Sequence, residues 1–305
     1  MPARRISHPL NNGQGPMKHR QDAAARHARA RFAVALAAPT LIWQIAFFVV
    51  PMGFLVAMTF WSVRNFRLQP DFTLANWQTI LSAGFFQNAF VYTFAMSAGA
   101  ALFVSLAAFP AAYALAFRAG PRLRLMAAGL LIVPFFTSLP VRIYSMQIFF
   151  SPGGVINSML AALSLPPISV LNSPTGTFIG FLTLTAPLVV LLQTFALSAV
   201  DRQLIEAAQN LRCGRMRTIL DVIIPSARVG LVVAGALAFV LAFGDYISPQ
   251  FLGGSNPPTL SILIADQVKS GNHWPRASVV AVVMIVTLTA VLGLLLKFAY
   301  GRKAA

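Results

Sequence analysis

Six stretches of this sequence run for about 20 residues or more with hardly a charge: 32–61, 88–117, 125–150, 177–197, 229–247 and 277–298. A helix rising 1.5 Å per residue needs about 20 residues to cross a hydrocarbon core of roughly 30 Å, and it satisfies its backbone polar groups internally, as lipid demands. The chain is 57% hydrophobic and only 10% charged, too little charge for a soluble surface. The expected fold is therefore an all-α integral membrane protein with six transmembrane helices over 32–299. Prolines inside the stretches (Pro39, Pro51, Pro110, Pro134, Pro140, Pro187) are compatible with this, because neighbouring groups in a membrane bundle re-satisfy the freed carbonyls.

The net charge of +16 would suggest nucleic acid in a soluble protein, but its distribution follows the connectors. The first 31 residues, the segment 118–124, the loop 199–228 and the tail carry most of the basic side chains. Only Arg64, Arg67, Lys269 and Arg276 fall on the other side, with Arg142 near the outer end of the third stretch. Positive charge stays inside, which puts both termini and the loop 199–228 in the cytoplasm and leaves no role for nucleic acid. Residues 1–31 are polar and basic with no apolar face and read as a disordered arm; 300–305 form a short cytoplasmic tail. Cys213 is the one cysteine, and His8, His19, His27 and His273 form no pair at helical spacing, so neither a disulfide within the chain nor a metal site is expected.

The outer connectors 69–87, 151–176 and 245–276 are long enough to shape a vestibule. In the first, Thr73 or Asn76 is placed to cap a short interfacial helix. The loop between the fourth and fifth stretches is more informative. Asp201 stands where an N-cap belongs, Leu204, Ile205, Ala208 and Leu211 make a helical apolar stripe, and Gly214 breaks the run before a second short helix over 215–222. Pro225 fits the first turn of the fifth span. Ala207 and Ala208 allow a close approach, and Glu206 is one of only seven acids. From the residues alone, an amphipathic connector on the membrane surface and a docking element are equal readings.

Glu206-Ala207-Ala208, followed by Val222-Ile223-Ile224-Pro225, resembles the EAA loop of binding-protein-dependent ABC importer permeases. That pattern has a glycine six residues after the glutamate; here Arg212 occupies the position and Gly214 lies two residues beyond. Val133-Pro134-Phe135-Phe136, Val141-Arg142-Ile143-Tyr144, Gly153-Gly154-Val155-Ile156-Asn157 and Phe243-Gly244-Asp245-Tyr246-Ile247-Ser248-Pro249 resemble segments of the spermidine/putrescine-type subgroup. The resemblance implies a type I permease core in the bacterial inner membrane. It makes Glu206, Ala207, Ala208, Leu211 and Gly214 a coupling helix seated in a cytoplasmic ABC ATPase dimer. It also implies a second homologous permease, a periplasmic solute-binding protein, and ATP and Mg bound by the partner ATPase, with no cofactor in this chain.

Candidate pathway residues are Asp245, Tyr246, Arg142, Tyr144, Gln147 and Gln193, because polar and ionisable side chains in a membrane mark solute routes or interhelical bonds. For Asp245 the structural alternatives are a pairing with Arg142 or a turn cap. Gly99, Gly129, Gly180 and Gly235 read as close helix contacts. The chain lacks the means to hydrolyse ATP. Of Lys18, Lys269, Lys297 and Lys303, only Lys269 precedes a serine, and Val268 stands where a phosphate-cradling loop needs glycine. No His-Glu-x-x-His zinc site occurs, and no second intramembrane acid accompanies Asp245 as an aspartyl dyad requires, so no catalytic residue is expected. The competing class, an ion-gradient-driven secondary transporter, needs mid-membrane ion ligands, and acids are nearly absent there.

Overall fold

The computed structural model describes residues 34, 36, 38–65 and 67–301; the expected arm and tail lie outside them, apart from Tyr300 and Gly301. It divides into two units, Met1–Ala57 and Met58–Ala305. Among the described residues five helices are long and apolar enough to span, or six if one bent pair counts as a single span.

Helix α1 (Ala38–Met58) is apolar and almost wholly exposed. It carries a π-turn at Ile45–Val49. Pro51 has no N–H to offer the carbonyl of Phe47, and the wider turn absorbs that missing bond.

The second unit opens with a hairpin, β1 (Ser62–Arg64) and β2 (Arg67–Gln69), in which Ser62 faces Gln69, Val63 faces Leu68 and Arg64 faces Arg67. Asn65 takes the left-handed conformation at the turn (φ 50°). A short helix α2 (Ala75–Leu81) follows. The expected cap is only partly realised: Thr73 Oγ1 accepts the N–H of Ala75, but Asn76 lies inside the first turn. Its Nδ2 donates instead to the carbonyls of Thr59 (2.9 Å) and Trp61 (2.8 Å).

Three long helices form the core: α3 (Gly84–Arg118), α7 (Pro174–Ser198) and α9 (Arg215–Gly244). Ala100, Ala112, Ala234, Ala238 and Ala242 are buried along their contacts, with Phe181 and Phe243 filling the space between. Lipid removes the hydrophobic drive for helix association, so small residues that bring backbones together carry the packing. Gln193 Nε2 adds a bond to the Ser105 carbonyl (2.9 Å) across the α3–α7 seam. Of the four expected glycine contacts, Gly180 abuts Ser248 and Gly235 approaches Ser105 Oγ at Cβ distances that a side chain would crowd. Gly99 is in ordinary contact, and Gly129 faces open space because α4 (Pro121–Phe136) buries none of its residues.

The third predicted span is not one helix. α4 and the following α5 (Leu139–Phe150) and α6 (Val155–Ala162) are bent by 97° at the break after Phe136. Thr137 and Ser138 are extended (ψ 138° and 129°), and Thr137 Oγ1 bonds back to the Pro134 carbonyl. Pro140, with no N–H, cannot carry the first helix through, but fits the first turn of a new one. The remaining elements are α8 (Arg202–Asn210), α10 (Ile247–Phe251), α11 (Leu260–Lys269) and α12 (Trp274–Tyr300).

Candidate functional site

The elbow between α7 and α9 holds one short helix where two were expected. Only α8 is a separate short helix; the second is the beginning of α9, which runs unbroken from Arg215 to Gly244. A π-turn at Ile219–Ile223, closed by the Ile224 N–H on the Ile219 carbonyl, lies where Pro225 would face the Asp221 carbonyl. The proline is thus accommodated without a break.

Asp201 caps α8, its Oδ1 accepting the Gln203 N–H at 2.9 Å. The C-terminus closes as a Schellman motif: Cys213 N–H donates to the Ala208 carbonyl (3.0 Å) and Arg212 N–H to that of Gln209 (2.9 Å). This motif puts one residue in the left-handed region, and that residue is Arg212, at φ 57°. Gly214, two residues beyond, precedes α9 at φ −63°, which any residue adopts.

The apolar stripe of α8 is divided. Ala208 is buried, and Ile205 packs on a cluster of Ala112, Leu197, Val200 and Ile223 at the ends of α3, α7 and α9. Glu206, Ala207 and Leu211 are exposed, Leu211 at 81%. A groove of about 410 Å³ opens beside Glu206, between Tyr113, Arg118, Arg202, Gln209 and Arg215.

At 1.5 Å per residue, α9 is about 45 Å long, and its far end reaches the second cluster of predicted residues. Asp245, buried, ends the helix and caps α10: its Oδ1 accepts the N–H of Ile247 (2.8 Å) and of Ser248 (3.4 Å). Opposite, α5 presents Gln147, whose Nε2 donates to the Phe251 carbonyl (2.7 Å), and Tyr144, whose ring lies 4.9 Å from that of Phe251. Arg142 and Asp245 attract one another across this contact, yet they make no ion pair; among the described residues the ion pair found is Arg64–Asp71. Tyr246 lies beneath Lys269, whose Nζ approaches its hydroxyl (3.4 Å) and ring centroid (5.6 Å). Arg142, Tyr144, Gln147 and Asp245 therefore come together where α5 meets α10, while Tyr246 turns to Lys269 of α11 and Gln193 stands apart in the α3–α7 seam. Sequence reasoning missed Phe251, the residue on which both Tyr144 and Gln147 converge, because an apolar residue in a Gly/Pro-rich connector gives no signal.

Residues 108–303 match the sequence model of the family described as "Binding-protein-dependent transport system inner membrane component". The chain belongs to this family. The permease is thus a translocation subunit of a binding-protein-dependent importer, an inner-membrane transport protein and not an enzyme. It is 28% identical over 257 residues to the spermidine/putrescine transport system permease protein PotB of Salmonella typhimurium (strain SL1344), covering 83% of this chain and 88% of that one. It is also 28% identical over 160 residues to the putative 2-aminoethylphosphonate transport system permease protein PhnU of Salmonella typhi, covering 51% and 55%. In fold it is similar to a chain of a bacterial ABC transporter involved in the import of the acidic polysaccharide alginate, with TM-score 0.76, 18% identity and coverage of 92% and 99%.

Proposed function

We propose that the permease is one membrane half of an ATP-driven importer whose elbow, residues 201–214, seats in a cytoplasmic ATPase that binds ATP and Mg. The observation that carries this is mechanical. Glu206, Ala207 and Leu211 stand exposed on a short capped helix, whose tight turn leads into the single helix that runs to Asp245. Two rigid elements joined by a closed turn transmit a displacement; a flexible loop would absorb it. The basic residues flanking the elbow support a cytoplasmic position for it and for both termini. Each chain has one elbow and an ATPase pair offers two seats, which calls for a second, homologous permease.

The cluster on α5 and α10 then lies at the outer end of α9, where a soluble binding protein delivers its solute. The similarity to PotB supports a small, polyamine-like solute. In this reading Asp245 is a positioning residue that holds α10 against α5, and the exposed Tyr144 ring is offered to the solute, since aromatic faces attract ammonium groups. An ATPase that co-purifies with the wild-type permease and is lost with Glu206→Arg supports the proposal. Undiminished co-purification of the variant, or uptake driven by a proton or sodium gradient in the permease alone, overturns it.

A further inference from the structure

Arg64 and Arg67 face each other directly across the β1–β2 hairpin, a like-charge pairing that works against folding. A third arginine, Arg276 of α12, joins Arg64 in lining a groove of about 550 Å³ beside the hairpin, together with His273, Asp71 and Asn76. The one carboxylate in this wall is already engaged: Asp71 Oδ2 accepts from the Ser62 hydroxyl (2.5 Å) and lies 3.6 Å from Arg64 Nη2. The groove is also held in shape. Asn76 clamps the carbonyls of Thr59 and Trp61, and the Thr73 N–H bonds the Phe60 carbonyl (2.9 Å). Beside it Phe72 is 98% exposed.

Three features need one explanation. The arginines gather on the outer face, where positive charge is otherwise sparse. They repel each other, and a cationic rim repels a polyamine-like solute as well. An exposed aromatic next to arginines on a preformed surface is the composition of an interface hot spot.

We propose that this groove is the docking surface for an acidic loop of the soluble solute-binding protein, with Phe72 as its apolar anchor and Arg64, Arg67 and Arg276 as its charge complement. The proposal rests on the importer reading above. Asp71 balances one arginine charge in the free protein; carboxylates of the partner neutralise the remaining charge on docking, which favours association.

The test uses intact cells carrying the assembled transporter, with the photoreactive benzoylphenylalanine in place of Phe72 and, separately, in place of Ser158 on the exposed side of α6. After irradiation, adducts are digested and identified by mass spectrometry. Expected is an adduct at position 72 with a solute-binding protein, through a peptide rich in Asp or Glu, whose yield falls about tenfold with Arg67→Glu and Arg276→Glu together. Arg67→Gln alone, which breaks no bond seen in the hairpin wall, gives an intermediate yield and controls for folding. Phospholipid as the sole adduct at position 72, or a yield indifferent to charge reversal, overturns the proposal. A binding-protein adduct at Ser158 but none at position 72 overturns this surface and leaves the importer reading standing. No binding-protein adduct at either position, with uptake continuing in cells that lack one, removes both.

Discussion

The amide of Cys213 donates to the carbonyl of Ala208, and this bond obliges the intervening Arg212 to adopt a left-handed backbone. Position 212 lies six residues after Glu206, the place at which the EAA pattern has glycine. The turn explains that preference, since only glycine enters the left-handed region without a Cβ penalty. Arg212→Gly should therefore stabilise the elbow by about 1 kcal/mol. Arg212→Val, β-branched where positive φ is least tolerated, should destabilise it by at least as much. Thermal midpoints of the purified variants, measured in one detergent, check the order Gly above Arg above Val.

Asp245 offers a clean separation of roles. Asparagine keeps an oxygen for the N–H groups of Ile247 and Ser248, so Asp245→Asn should retain uptake with near-normal affinity and rate. Asp245→Ala removes the cap, costs about 1 kcal/mol, and should lower uptake by loosening α10. Solute uptake and the melting point of both variants are the measurements. Loss of affinity in Asp245→Asn without loss of stability would place the carboxylate on the solute itself.

Two glycines on membrane helices should respond oppositely. Gly180→Val drives a side chain into Ser248 and should destabilise the protein by about 1–3 kcal/mol. Gly129→Ala enters open space and should be neutral or gain up to about 1 kcal/mol from helix propensity. Yield of folded protein and thermal midpoint distinguish the two.

Gln193→Leu keeps the volume and removes one bond to the Ser105 carbonyl. The expected loss is about 0.6 kcal/mol, with roughly 1.7 as the ceiling for such a bond in a membrane. Uptake by the surviving folded protein should be unchanged. A large fall in uptake at constant stability would return Gln193 to the pathway.

The spans were legible because hydrocarbon thickness sets a length that composition alone can meet: 84–118, 174–198 and 274–300 extend the predicted stretches by only a few residues. The bend between α4 and α5 was not legible. Pro134 and Pro140 are tolerated in straight and broken membrane helices alike, and the apolar run continues through Thr137 and Ser138. The hairpin was hidden because Ser62 to Gln69 follow an apolar stretch directly and pair only with each other. At the candidate sites, Asp201, Glu206 and Asp245 announced themselves as rare acids at positions where caps or sites occur. Phe251 gave no such sign, and the continuity of α9 through Pro225 depended on a π-turn that no residue pattern specifies.

Hydrogen exchange of the amides in residues 202–214 is the most direct measurement of whether the elbow is a seated joint. It should be followed in lipid nanodiscs with and without the ATPase. In the permease alone the helix's own bonds should set the exchange; it should slow further in the assembled transporter and change again when ATP is added. Exchange that is already slow in lipid alone and indifferent to the ATPase would mean that the elbow rests on headgroups, and the importer mechanism proposed for this chain would fail.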